Sequence, residues 1–449
     1  MAPTRYGAPS GYRVRAGSLL PPEIPSPPEQ PEQRRGRSRH RSLPRQFTAL
    51  ATGRGAAGIL SAAWLVVAAR ALAPATFGNL AILLAVGSMG GVLSDLGQQT
   101  ALAHATAEAS VLARPLLLSV IRRRLIQSMA AIAAIVVLYG VASSHSTLLV
   151  PLLFTGSIVG TVIYSTEIAA LTAIGRAHVD GANEAMSRLG VLVVGWWWLH
   201  HGGGLFAAVS VYVAADLASA VVVSLVVRRH WSTSTSTSTA NPIGNDRRFR
   251  IRNTAPLAFA LTAAVVYARV DTWLLGQMQG SVLAGHYAAA DKILDAVLLA
   301  PAALGALSIA QVSPLPSGRR WKRIELLAGL AVGLAVLPAL AIGLFANRVI
   351  GGLFGAGFRS TGPVLVVLLI SVVPGAVVAA CSPITAVLAR WSFAAAMAGG
   401  LVVNVALNVA LIPHFRAEGA AWVNLASEAL LAAWMLVLLA RETRTRPTG

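Results

Sequence analysis

The chain has 449 residues, 55% of them hydrophobic and only 12% charged, with a mean hydropathy of +0.67. A soluble domain carries about 25% charged residues, so a large soluble α/β core does not fit and repeated apolar runs point to a polytopic helical membrane protein. The net charge of +19 does not mark a nucleic-acid partner, because the basic residues sit in the N-terminal tail and in alternate short loops, where they encode membrane sidedness.

Residues 1–50 are rich in Pro, Arg and Ser (PSPPEQPEQRRGRSRHR) and lack an apolar core until about Gly55. They read as a basic, disordered cytoplasmic tail and not as a cleaved signal peptide. Membrane helices are then expected over 55–73, 78–102, 123–143, 147–172, 184–200 and 204–227, forming a first set at 51–227. The fifth run is the shortest and ends in Trp196, Trp197 and Trp198, an interfacial aromatic anchor. A Ser/Thr-rich stretch (WSTSTSTSTANP) marks 228–253 as a cytoplasmic linker. The second set, at 254–440, is expected over 254–275, 281–312, 324–345, 361–387, 391–412 and 418–440, with a cytoplasmic tail at 441–449.

Placing both termini inside leaves only Arg70, Arg348, Arg359 and Arg416 outside and Arg269 and Lys292 within helices. Every other Lys or Arg of the 36, including Arg122, Arg123, Arg124, Arg176 and Arg188, then falls on the inner side. That bias fits an even number of spans in a cytoplasmic membrane. The single cysteine, Cys381, lies in an apolar segment and supports neither a disulfide framework nor a Cys-based metal site.

Ionisable residues at depth are the candidates for function. At 1.5 Å per residue, Asp216 lies about 18 Å into the sixth helix and Glu428 about 15 Å into the twelfth. Asp291, Lys292 and Asp295 fall about 14–20 Å into the eighth. Arg269 and Asp271, two apart on the seventh, point to different sides and cannot pair with each other. Asp291 and Asp295, four apart, share one face and repel unless a cation intervenes, so Arg269 or Lys292 is the expected compensating charge. Asn404 and Asn408 share a face of the eleventh helix and either hydrogen-bond between helices or line a cavity. The deep carboxylates are candidates for H+ or Na+ coupling; the basic pair suits a pyrophosphate or a buried acid. No GxxxxGK[ST] loop or HExxH motif occurs, so neither ATP-driven transport nor zinc hydrolysis is indicated.

Four stretches together resemble the polysaccharide-transporter branch of the multidrug/oligosaccharidyl-lipid/polysaccharide exporter superfamily. They are ATFGNLAILLAVGSMGGVLSDLGQQTAL, with Phe77-Gly78 and Asp95-Leu96-Gly97, and DTWLLGQMQGSVLAGHYAAADKILD, with Asp271, Tyr287, Lys292 and Asp295. LFGAGF at 353–358 and NVALNVALIPHFRAEGAAWVNLASE, with Asn408 and Glu428, complete the set. The resemblance implies an all-α membrane protein of about 12 transmembrane helices in two six-helix bundles around a central cavity. It also implies a flippase for a polyprenyl-pyrophosphate-linked oligosaccharide, without enzymatic chemistry or cofactor, with glycan-assembly proteins as further candidate partners. Arg416 and Ala417 in the HFRAEG turn and the STSTSTST loop depart from the family pattern. The alternatives are a cation-coupled multidrug exporter and a membrane glycan ligase or polymerase.

The sidedness has a direct test. In intact cells a membrane-impermeant maleimide is expected to label His201→Cys, while Lys322→Cys reacts only after permeabilisation; the reverse pattern rejects the proposed orientation.

Overall fold

In the computed structural model, residues 52–95, 97–109, 114–142, 149–231 and 251–445 are described. The expected tail at 1–50, most of the linker and the last four residues lie outside them. The chain is all-α. In order, the helices are α1 (Thr52–Ala71), α2 (Pro74–Leu93), α3 (Gln98–Ala109), α4 (Arg114–Ala142), α5 (Leu149–Ala173), α6 (Ala177–His200) and α7 (Leu205–Trp231). The second set is α8 (Ile251–Gln279), α9 (Ser281–Val297), α10 (Leu299–Val312), α11 (Ser317–Leu344), α12 (Ala346–Phe354), α13 (Gly362–Ile370), α14 (Val372–Leu388) and α15 (Arg390–Thr445).

Among the described residues, 7 helices are long and apolar enough to cross a membrane, or 9 if each of two bent pairs is one span. The expected runs fall largely on helices, but the second (78–102) crosses the break between α2 and α3, residues 143 and 147–148 lie outside the described residues, and local chemistry changes the count. The eighth run is α9 and α10, bent by 46°, and the tenth is α13 and α14, bent by 48°. The eleventh and twelfth share α15, whose helical course is broken at Arg416 (φ 53°, ψ −133°), where the departure from the family pattern was noted. The weakest run lies in α6, which starts at Ala177 instead of 184 and carries Asp180, Glu184 and Arg188 in its first half. Trp196 and Trp197, at its other end, are exposed and lie beside His200 and His201, with ring centroids 5.7 and 4.7 Å apart.

Helices α1–α7 pack largely among themselves, as do α8–α15. The bridge between the sets is chiefly α2, which lies along α8 and α9. Its sequence explains how. Pro74 starts the helix without losing a needed N–H donor, and Phe77 sets its ring edge-on to Phe358 at 5.6 Å. Gly78 then brings its backbone against Ser281 and Gly285: a Cβ on Gly285 would lie 3.0 Å from the Gly78 Cα and 2.8 Å from the Pro74 carbonyl oxygen. Further along, Gly276 of α8 accommodates Ile82. At the end of α1, Arg70 adds a polar tie by donating to the Leu353 carbonyl at 2.7 Å and to that of Gly352.

The glycine contact sets a prediction. Gly78→Ala forces a methyl group into the Ser281 backbone and is expected to cost about 1–3 kcal/mol. This would appear as a lowered Tm of the detergent-solubilised protein. Gly91→Ala, on the same helix but with open space where its Cβ would go, is expected to leave Tm unchanged or slightly higher.

Candidate functional sites

The structure gathers the sequence-selected residues into three separate groups. The most enclosed joins α8, α9 and the two arms of α15. Asp271 is 5% exposed. Tyr287 donates to one of its carboxylate oxygens at 2.9 Å and the Asn408 amide to the other at 2.8 Å. Asn408 also donates to the Asn404 side-chain oxygen at 3.0 Å, and Asn404 donates to the Ser427 hydroxyl at 3.3 Å. Ser427 and Tyr267 share a hydrogen bond of 2.9 Å. Helical geometry makes this chain: Asn404 and Asn408 are one turn apart and both fully buried. Of the two roles open to these asparagines, the structure shows the hydrogen bond between helices. Glu428 follows Ser427; its Oε2 is buried without a hydrogen-bond partner and faces Gly375.

The second group is more open. Arg269 leaves α8 on the side away from Asp271 and reaches Asp291 at 3.3 Å and Asp295 at 3.7 Å. Lys292 stands 3.7 Å from Asp291 and forms a close ion pair with Asp295. Two cations therefore hold together two carboxylates that would otherwise repel across one helical turn. The Asp295 side chain is 48% exposed, which makes this group more open than the Asp271 network.

Asp216 belongs to the first helical set. It accepts a hydrogen bond from Ser157 of α5, and Gly160 of α5 lets the two helices approach at this level. Nearby lies a group of residues that was counted with the inner-side charges or passed over. Asp180, Glu184 and Arg188 succeed one another at four-residue intervals and so share one face of α6. Arg54 pairs with Asp180 at 2.7 Å. Tyr164 donates to Asp180 at 2.6 Å and to Glu184 at 3.4 Å, and Arg188 donates to Glu184 at 3.0 Å. These residues border two cavities, of about 530 and 460 Å³, that meet at Arg54, Tyr164 and Asp180. Arg188 is therefore a helix residue of the interior, not a loop charge, because Glu184 one turn earlier supplies its counter-ion. The acid–acid–base repeat was the signal for it.

Arg124 is a second correction. It was counted as an inner-loop charge, yet its side chain is 1% exposed within α4. Asp95 stands 3.4 Å away, and Arg124 donates to Thr166 at 2.5 Å, Ser165 at 3.0 Å and the Val162 carbonyl at 3.3 Å. Asp95 also accepts the Gln99 backbone N–H at 3.0 Å at the start of α3. This pair thus fastens the α2–α3 break to α4 and α5. Among the described residues, no group of three or more His, Cys, Asp or Glu side chains is placed to hold a metal ion.

The enclosed and open groups should respond differently to substitution. Asn408→Leu leaves Asp271 short of a donor in a dry interior and is expected to cost about 1–3 kcal/mol. Arg269→Ala, in the more solvated group, should cost under about 1 kcal/mol. Thermal unfolding in one detergent compares them, and an equal fall in Tm would contradict the difference in solvation.

Comparison with known proteins gives this geometry its context. Residues 43–307, more than half of the chain, match the family model described as polysaccharide biosynthesis protein. No curated protein sequence matches. A lipid II flippase MurJ in an inward closed conformation superposes with a TM-score of 0.65 at 12% identity, covering 86% of each chain. An inward-facing multidrug resistance MATE transporter of the MOP superfamily gives 0.63 at 14% identity, over 87% of this chain and 96% of that one. A MOP-superfamily transporter from Pyrococcus furiosus, whose binding pocket is described as reversed in polarity, gives 0.59 at 14% identity, over 91% and 97%. These likenesses show a shared fold. The chain belongs to the polysaccharide biosynthesis protein family, and it is a multi-pass membrane protein that shares the fold of these solved transporters.

Proposed function

We propose that the protein is a transporter that works by alternating access in a bacterial cytoplasmic membrane, with both termini inside. In this reading α1–α7 and α8–α15 supply six membrane spans each, forming two bundles that rock about a central cavity. The cargo is a polyprenyl-pyrophosphate-linked oligosaccharide, whose head group is carried across while its lipid tail stays in the bilayer, supplying cell-surface polysaccharide assembly. The observation that carries this cargo is the match of residues 43–307 to a polysaccharide biosynthesis family.

Geometry supports the mechanical part. The α2 contacts to α8 and α9 run from Pro74 and Phe77, at the end expected to face outward, to Ile82. Rocking the bundles apart there would break the Phe77–Phe358 contact and the two Arg70 hydrogen bonds, which are few and weak enough to be remade in each cycle. Asp216, Asp271, Asp291, Asp295 and Glu428 are the candidate coupling acids for H+ or Na+. Arg269 and Lys292 serve as internal counter-ions, and Asn404 and Asn408 orient Asp271.

A second reading is cation-coupled export of multidrug type. Several of the similar solved structures are multidrug MATE transporters, and the enclosed acids Asp271 and Glu428 suit a cationic partner. The fold likenesses back this cargo more directly than they back the glycan, whereas the family description backs the glycan.

Depleting the protein and probing which membrane face exposes lipid-linked sugar separates the two. Complete lipid-linked units trapped on the cytoplasmic face support the glycan flippase. Unchanged glycan with increased retention of ethidium supports the drug exporter, and correctly oriented but unpolymerised glycan points to a ligase or polymerase.

A further inference from the structure

The larger cavity of the first helical set has chemistry of its own. Arg54 and Ser61 reach it from α1, the Asp180–Glu184–Arg188 face from α6, Tyr164 from α5 and Tyr212 from α7. Its volume of about 530 Å³ lies within the usual 300–1,000 Å³ of small-ligand sites. One or two sugar rings would fit.

Its wall is charged but already paired. Asp180 is held by Arg54 and Tyr164, and Glu184 by Arg188. A guest ion would have to compete with these ion pairs. A neutral polyol would not, because hydrogen-bonding capacity is left over on both sides. A guanidinium has five N–H donors and a carboxylate about four acceptor positions. Among the described residues, Arg188 spends only its Nε on Glu184, and Arg54 only its Nε and one terminal nitrogen on Asp180. A sugar hydroxyl both donates and accepts, so it can bridge such neighbouring groups. Tyr212 is buried at the wall of the cavity, with Trp64 edge-on at 6.1 Å and the Arg188 guanidinium 5.9 Å from its ring centroid.

From this pairing we propose that the cavity bordered by α1, α5, α6 and α7 is a saccharide subsite that reads neutral sugar units of the cargo. The candidate coupling acids of the second helical set take no part in it. The inference rests on the glycan-flippase reading and adds to it the place where sugar identity is tested.

Gly58 makes the test clean. It lines this cavity, and nothing lies within 4 Å of where its Cβ would stand, so a side chain added there starts into open space. In the full-length protein in its native membrane, Gly58→Trp is expected to lower the outward-facing lipid-linked glycan at least tenfold. Gly329→Trp, on the exposed side of α11 and outside this cavity, should retain wild-type flipping, and both variants should keep wild-type abundance and Tm. A photoreactive benzoylphenylalanine at Ser61 should capture the cell's own glycan, seen as a periodate-sensitive adduct with hexose mass spacings. Wild-type flipping by Gly58→Trp, or an adduct containing phospholipid alone, overturns the subsite while leaving the flippase standing. Blocked ethidium export by Gly58→Trp with no sugar in the adduct overturns it in favour of a cation site. Normal glycan orientation after depletion overturns the flippase reading itself, whatever the photoadduct.

Discussion

A charge cannot be left bare in an apolar helical bundle, and each ionisable side chain placed at depth obliges the fold to supply a partner. That obligation organises the interior of this protein. Asp271 is satisfied by Tyr287 and Asn408, the acids of α9 by Arg269 and Lys292, the acids of α6 by Arg54, Tyr164 and Arg188, and Arg124 by Asp95 with two hydroxyls and a carbonyl. Each group draws at least one partner from another helix, so solvating the charge also helps fix which helices are neighbours. Glu428 is only partly satisfied: Tyr267 neighbours its carboxyl, while its Oε2, beside Gly375, has no hydrogen-bond partner among the described residues.

The groups differ in how they meet the obligation, and the difference bears on transport. The Asp271 network is dry, neutral in its partners and continuous across α8, α9 and α15. A change of charge there would be felt along the entire chain of hydrogen bonds. The Arg269 group is partly solvated and can rearrange at little cost. The α6 group borders empty volume and keeps unspent donors and acceptors facing it. The enclosed acids and the cavity-lining charges therefore lie in different helical sets, except for Asp216, and α2 is the main packing link between the sets. That link is close because Gly78 and Gly285 let the backbones approach, and one buried apolar cluster runs across it.

Much of this was legible in the chain. The split orientation of Arg269 and Asp271, and the need of Asp291 and Asp295 for Arg269 or Lys292, follow from a 100° turn per residue and Coulomb repulsion, and both occur as expected. The one-turn spacing of Asn404 and Asn408 likewise anticipated a shared face. The α6 site was hidden because Arg188 was counted as a topological charge and its helix was started at 184, which cut Asp180 away from the repeat. Arg124 was hidden in the same way beside Arg122 and Arg123, since consecutive residues on a helix point in different directions and only one of the three faces inward.

Hydropathy and local spacing alone determined that the chain is a helical membrane protein, where its apolar runs lie, and which charged residues would need company. They did so because bilayer thickness and helical pitch act on each segment separately. Only the tertiary structure decided that α9–α10 and α13–α14 bend, that Tyr287 and Asn408 meet at Asp271, and that Arg54 closes on Asp180 across 126 positions of sequence. Those outcomes depend on which helices touch, and contact between distant segments is set by packing volume and by the pairing of buried charge, neither of which is written in any one stretch of the chain.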